Sequence, residues 1–254
     1  MKPYLHAEWT KLRTLPGTGG LLLALVALTV AVSVAAAALV SCASAGCGYD
    51  PARISLFGVQ AGQAVVAVLA VLAISGEFGT GMIRTTLTAM PGRITVLAAK
   101  AVVLTGLTLA AGGVAVLGSA LAGRRILLDN GFTPETLALT GGPMLRAAAG
   151  SVLYLALIAL LSLGIAAAVR DSATAVGVVL GLLYLFPAVI LMTPDADLAR
   201  FLWQISPMNA GLAIQATTQL SGLPLSPWAG LGVLAAWATA ALLGGGLLLR
   251  ARAA

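Results

Sequence analysis

The sequence predicts an all-α polytopic membrane protein with six transmembrane helices. Of its 254 residues, 60% are hydrophobic and only 9% are charged, and the mean hydropathy is +1.04. A soluble domain of this length carries about a quarter charged residues, so the composition belongs to the membrane class. The apolar residues also fall into six runs, each close to the roughly 20 residues that cross a bilayer. Together these observations exclude a soluble globular fold.

The six predicted spans form a single transmembrane domain. They lie at about residues 20–40, 55–75, 98–121, 147–169, 173–192 and 229–249. An even number of spans puts both termini on one side of the membrane. Of the 14 Lys and Arg residues, nine fall on the side of the termini and five on the other side. Because cytoplasmic loops carry the excess of Lys and Arg, we expect both termini to be cytoplasmic. The net charge of +6 is then a topology signal, and nothing in its distribution indicates a nucleic-acid partner.

The segment before the first span, residues 1–19, has the pattern of an amphipathic helix. Leu5, Trp9 and Leu12 are spaced i, i+4 and i+7, and Pro16 follows. The other faces carry polar side chains, namely His6, Glu8, Thr10, Lys11 and Arg13. We expect a cytoplasmic helix that lies in the membrane interface and stops near Pro16.

The two cysteines, Cys42 and Cys47, fall in the first predicted external loop. In an oxidising compartment they could form a small disulfide, and two free thiols are the other reading. Motifs for catalysis and metal binding are absent from the sequence. The single histidine is His6, no G-x-x-x-x-G-K-[ST] motif occurs, and no predicted span carries an acidic residue deep in its middle. We therefore expect no catalytic residue, metal or cofactor on this chain, and a source of energy elsewhere.

The connection between the second and third spans, residues 76–97, carries the best-defined polar pattern in the chain. Ile83, Leu87 and Met90 are spaced i, i+4 and i+7, and Thr80 can cap a short helix that ends before Pro91. Arg84, Thr85 and Thr88 face away from the apolar edge. Such an edge needs a partner, which is either the bilayer surface or a soluble protein. Glu77 lies ahead of this helix, where the macrodipole favours a carboxylate.

This connection resembles the coupling-helix loop of ABC-2-type transporter permeases. The resemblance rests on Glu77, Gly-Thr, an Arg-Thr-Thr-Leu helix, Pro-Gly-Arg and a following Lys, and the segments "AEWTKLRTL" and "ISPMNAG" also resemble that family. It implies a dimer of six-span permeases, with a second copy or a related chain, and two separate cytoplasmic ATPase subunits that bind ATP and magnesium. The implied ATPase-coupling residues are Glu77, Gly79, Thr80, Ile83, Arg84, Thr85, Leu87, Pro91, Arg93 and Lys100.

The resemblance also implies that the segment between the fifth and sixth spans, residues 193–228, dips into the outer leaflet. The sequence is compatible with such a re-entrant segment, because it is apolar but interrupted by prolines. Ala213 would then lie shallowly, and Gln215 and Gln219 would be available to water. A pair of external helices lying on the surface is the alternative.

Two polar groups in the second span suggest either packing or a pathway. Gln60 and Gln63 could form hydrogen bonds between helices, or they could line a substrate path between spans two and five. The path would include Phe57, Gln60, Gln63, Tyr184 and Phe186. Two Gly-x-x-x-Gly pairs, Gly58–Gly62 and Gly177–Gly181, carry little weight in a chain with 30 glycines.

The function expected from the sequence is that of a permease subunit of an ATP-driven exporter in a bacterial plasma membrane. Its substrate would be hydrophobic or amphipathic: a drug or antibiotic, a lipid or a peptide. The alternative is a membrane accessory or assembly protein that docks a cytoplasmic partner without transport. Coupled ATPase activity distinguishes the two, because only a transporter changes its partner's turnover when substrate binds.

Overall fold

All regular elements in the described part of the chain are helical. The computed structural model describes residues 2–14, 16–42, 48–79, 92–133, 137 and 141–251. The helices are α1 (Lys2–Thr14), α2 (Pro16–Ala38), α3 (Pro51–Ser55), α4 (Val59–Gly79), α5 (Arg93–Asp129), α6 (Gly142–Val169), α7 (Ser172–Met192), α8 (Ala196–Ile205), α9 (Pro207–Leu212) and α10 (Pro227–Ala251). Short 3-10 turns lie at Ala213–Gln215 and Leu220–Gly222.

Six of these helices, α2, α4, α5, α6, α7 and α10, are long and apolar enough to cross a membrane. The expectation of an all-α, multi-pass membrane protein is therefore confirmed. Most span ends agree with the predicted ones to within a few residues, but α5 continues to Asp129 instead of ending near residue 121. Arg124 and Arg125 therefore lie in this helix and not in a loop. Charged residues end an apolar run, but they do not end a helix. The helix ends at Asp129, and the left-handed residue that terminates it is Gly131, with φ 91, after the cap residue Asn130.

The centre of the bundle is α6, which packs against α4, α5, α7 and α10. Close approach of α6 and α10 depends on Gly164, where a side chain would overlap the backbone of Ala241. On the outside, α2 packs against α4 and α5, and α7 is the most exposed span. Most buried apolar side chains form one continuous core.

The two ends of the bundle carry different structures. We call the end with α1, the end of α4, the start of α5 and the end of α10 the terminal side. A side chain added at Gly246, near the end of α10, would lie 3.7 Å from Leu97 Cδ2 near the start of α5, which places these ends together. The opposite end, the far side, carries α3, α8 and α9. On the terminal side α1 packs against α5.

The polar face of α1 departs from the expected arrangement. The spacing within α1 predicts Glu8 on a face turned away from the membrane, but Glu8 is buried in the protein, and Trp9 is exposed. The reason is Lys100 of α5, whose Nζ lies 2.7 Å from Glu8 Oε2, a partner that no pattern within α1 can reveal.

Candidate functional site

Four charged side chains from three helices meet on the terminal side. We call them the ion cluster: Glu8 and Lys11 of α1, Glu77 of α4 and Lys100 of α5. Lys100 Nζ lies 2.7 Å from Glu8 Oε2 and 2.8 Å from Glu77 Oε1. Lys11 Nζ lies 3.1 Å from Glu77 Oε1 and 3.5 Å from Glu8 Oε1. Each ammonium group therefore contacts both carboxylates, and the cluster holds three helices together.

The ion cluster is largely removed from solvent. Lys100 is 1% exposed and Glu8 is 3% exposed, whereas the side chain of Lys11 is 31% exposed. Buried charges are tolerated when they are paired and hydrogen-bonded, and here two positive groups balance two negative ones. Glu77 Oε2 is a buried oxygen without a hydrogen-bond partner. The cluster is thus neutral overall but retains one unused acceptor.

The environment of Lys11 keeps it charged. Burial alone would lower the pKa of Lys11, but the hydrogen bond to Glu77 and the negative charges of both carboxylates outweigh it. The net effect raises the pKa of Lys11 above its ordinary value. The ammonium is therefore present throughout the neutral pH range.

Glu77 lies in a different local setting from the one expected. The sequence predicts Glu77 and Gly79 in the connection, but α4 continues to Gly79, so both residues belong to the span helix. The macrodipole disfavours a carboxylate in the last turn of a helix. Lys11 and Lys100 offset this cost because each donates a hydrogen bond to Glu77 Oε1. The sequence missed these pairs, since their partners lie 66 and 23 residues away.

The predicted coupling helix lies outside the described residues. This applies to six of its proposed residues, Thr80, Ile83, Arg84, Thr85, Leu87 and Pro91. The flanks are described: α4 ends at Gly79 and α5 begins at Arg93, inside the predicted connection. Lys100 is enclosed by the ion cluster, so its charge is not presented to a partner. Its position instead ties the two ends of the connection together.

On the far side a single carboxylate fastens two segments. Asp50 caps α3 by accepting hydrogen bonds from the backbone N–H groups of Ala52 and Arg53, at 3.1 and 3.4 Å. The same carboxylate accepts from Thr217 N and Thr217 Oγ1, both at 2.6 Å, and from Thr218 N at 3.0 Å. We call this arrangement the Asp50 clamp. It joins the connection before α4 to the segment that follows α9.

The segment ahead of the clamp is buried in the bundle. Every residue from 206 to 216 except Asn209 is buried. Gln215 Nε2 donates to Ser151 Oγ at 3.0 Å and to the Leu56 carbonyl at 3.5 Å. The expectation that Gln215 faces water is therefore wrong, and Ala213 is fully buried. Gly150 makes room for this segment, since a side chain there would overlap Ile214. Whether the segment enters the bilayer as a re-entrant element stays a prediction.

The proposed pathway residues divide into two groups. Gln63 is fully buried, accepts a hydrogen bond from the Tyr154 hydroxyl and contacts Met208 Sδ through Nε2 at 3.2 Å. These contacts give Gln63 a packing role between α4, α6 and α9. Tyr184 donates its hydroxyl hydrogen to the Gln60 carbonyl and so joins α7 to α4.

The remaining pathway candidates differ in exposure. Phe57 and Tyr184 are exposed, whereas Phe186 is half-buried. A pathway between α4 and α7 stays a prediction.

The two glycine pairs, equal in sequence, differ in structure. Gly58 and Gly62 lie against Thr29 of α2 with no room for a side chain, and Gly58 N donates to Ser33 Oγ at 3.0 Å. By contrast, nothing lies within 4 Å of a side chain added at Gly177. Only the first pair is a packing contact within the chain.

Cys42 is disulfide-bonded, and Cys47 lies outside the described residues. Within the described ranges, no group of three or more His, Cys, Asp or Glu residues is placed to hold a metal ion. The chain matches no protein-family model, and no curated protein matches it in sequence.

Proposed function

We propose that this chain is the transmembrane permease subunit of an ATP-driven exporter of the ABC-2 type. In this proposal it acts as a dimer and couples to two separate ATPase subunits through the connection between α4 and α5. The observation that carries the proposal is the ion cluster. It fastens α1 and both ends of that connection to one another on the terminal side.

In this proposal, force from the ATPase enters the membrane domain through the two ends of the connection. A helix that receives movement from a soluble ATPase transmits it only if its ends are held firmly. Glu77 precedes the connection and Lys100 follows it, and their side chains are 2.8 Å apart. Lys100 also contacts Glu8 of α1 at 2.7 Å. A displacement of the connection is therefore transmitted to α1, α4 and α5 together. A connection that served only to dock a partner would not require its two ends to be joined by the buried ion cluster.

The charge distribution supports a cytoplasmic terminal side for the proposed transporter, since nine of the 14 Lys and Arg residues belong to that side. ATP and magnesium are available there to the partner ATPase. The spans carry their charges near their ends, which suits a hydrophobic or amphipathic substrate: a drug or antibiotic, a lipid or a peptide.

ATP hydrolysis by the solubilised assembly tests the proposal. The tagged chain is expressed in its native host, extracted in mild detergent, and assayed for ATP turnover with and without amphipathic drugs and lipids. The double variant Ile83→Asp/Leu87→Asp places two charges on the apolar edge of the predicted coupling helix. In the proposed contact both side chains are buried against the ATPase, and losing them, at about 1.5–3 kcal/mol each, should weaken ATPase binding by on the order of a hundredfold or more.

A matched control places the same two charges on the far side. Leu39 and Leu220 are exposed there, and Leu39→Asp/Leu220→Asp should retain the turnover of the unmodified chain. Turnover that is undiminished in both double variants would rule out ATPase coupling through this helix. Absence of any turnover with the unmodified chain would also rule it out. Turnover that is lost in the coupling variant but never responds to any added drug or lipid would instead favour the accessory protein.

A further inference from the structure

Helix α8 presents an apolar edge that the rest of the chain leaves uncovered. None of its 10 residues is buried. Leu198 is 49% exposed and Phe201 is 55% exposed. These residues lie at i and i+3, so their side chains share one edge of the helix. Asp197 and Arg200 are exposed beside that edge, which gives α8 an amphipathic outer surface.

The exposure of α8 does not come from loose attachment. Its last turn is fixed to the bundle: Gln204 Nε2 donates to the Pro224 carbonyl at 3.1 Å, and Trp237 Nε1 donates to the Ile205 carbonyl at 2.9 Å. Asp195 caps the first turn by accepting from the Asp197 and Leu198 N–H groups. The helix is therefore well formed and held at its last turn, while Leu198 and Phe201 stay exposed.

The position of α8 places this edge at the membrane surface. Helix α7 ends at Met192, and its last residues, Leu191 and Met192, are 88% and 82% exposed, as expected for side chains that meet lipid. Four Cα steps from Met192 to Ala196 reach at most about 14 Å, so α8 starts near the headgroup layer. Exposed Trp228, the second residue of α10, is the type of residue enriched at that depth.

We infer that α8 is a lipid-binding helix, which lies in the membrane interface of the far side with Leu198 and Phe201 in the boundary between headgroups and acyl chains. The lipid surface it fits is neutral and zwitterionic. Asp195 and Asp197 outnumber Arg200, and a net negative helix is not attracted to anionic headgroups. This inference does not depend on ATP-coupled transport, so its test can succeed or fail independently of the proposed exporter function.

Spin labels on two adjacent residues test the inference. Phe201→Cys and the control Arg200→Cys each receive a nitroxide in the unreduced full-length chain, reconstituted in phosphatidylcholine vesicles. Both positions are exposed, so neither change disturbs the core. At residue 201 collisions with oxygen should exceed those with a water-soluble nickel chelate severalfold, and at residue 200 the order should be reversed.

Each other outcome overturns the inference. Equal access of the nickel chelate at residues 200 and 201 would place α8 in water. Low access of both reagents at residue 201 would show a protein surface, from a second copy or another chain. Replacing part of the phosphatidylcholine with phosphatidylglycerol should leave the ratio unchanged, and a deeper label in those vesicles would contradict the neutral surface.

Discussion

The ion cluster and the Asp50 clamp fasten peripheral segments at opposite ends of the bundle by different chemistry. In the ion cluster, full charges meet full charges, and Lys100, Glu8 and Glu77 are buried. In the clamp, one carboxylate receives only neutral donors, five in number, and Thr218 is exposed. Both arrangements hold a segment to the end of a span.

The difference predicts how each arrangement fails. A buried charge that loses its partner cannot be hydrated without disturbing the fold. Most of its desolvation cost therefore lowers the free energy of unfolding. A donor near the surface that loses its acceptor can turn to water instead. The ion cluster should therefore respond sharply to loss of a buried member, whereas the clamp should respond in proportion to the hydrogen bonds removed.

The largest effect is expected for Lys100→Met. It leaves Glu8 and Glu77 buried with Lys11 alone, and breaking a buried ion pair from one side costs about 3–5 kcal/mol. The free energy of unfolding in detergent micelles measures this loss. The triple variant Glu8→Gln/Glu77→Gln/Lys100→Met removes the two buried carboxylate charges, leaves Lys11 partly exposed to water, and should recover to within about 1 kcal/mol of the unmodified chain. If the triple variant were as unstable as the single one, packing rather than charge would explain the loss.

An intermediate effect is expected for Asp50→Asn. The amide keeps one acceptor oxygen for the cap of α3, but its NH2 group faces the N–H groups of Thr217 and Thr218. Hydrogen bonds to a charged acceptor contribute about 1.5–3 kcal/mol, which sets the expected loss. Hydrogen exchange of the Thr217 and Thr218 amides should accelerate as well. Asp129→Asn, at an exposed carboxylate of the far side, is the control, and equal acceleration in that variant would remove the special role of Asp50.

The smallest effect is expected for Lys11→Met. Its side chain is 31% exposed, and Lys100 still bridges both carboxylates, so the loss should be at most about 1 kcal/mol. Because the folded pKa of Lys11 is raised, its contribution is complete below the unfolded pKa of about 10.4 and disappears only as pH rises through the folded pKa. The stability difference between the two chains should therefore stay constant from about pH 6 to about pH 9. A difference that vanished within this window would contradict the assignment.

The sequence was sufficient for the six spans because hydropathy over a window of about 20 residues reflects the bilayer directly. It failed where one residue depends on a distant one. Glu8 belongs to a polar face by its spacing, yet its partner Lys100 is 92 residues away. Gln215 has no local pattern that indicates burial, because its partner Ser151 lies on another helix.

The end of α5 shows a further limit of sequence reasoning. Arg124 and Arg125 end an apolar run, and the predicted span ended near residue 121 for that reason. A helix ends where its backbone turns, however, and here the turn comes at Asn130 and Gly131. The same limit applies to the glycine pairs, since spacing cannot reveal that only Gly58 and Gly62 face another helix.

The unusual length of α5 gives it the properties of a lever. One continuous helix carries Lys100 near one end and Gly123 near the other, and Gly123 lies against Ser55 of α3. These two points are about 35 Å apart at 1.5 Å per residue, so a tilt of about 5° moves one by about 3 Å relative to the other. Asp50 caps α3, and its bonds to Thr217 and Thr218 are only 2.6–3.0 Å long. A small rotation of α5 at its terminal-side end would thus be large enough at the other end to break the hydrogen bonds of the Asp50 clamp. Faster amide exchange of Thr217 and Thr218 in Lys100→Met would detect it.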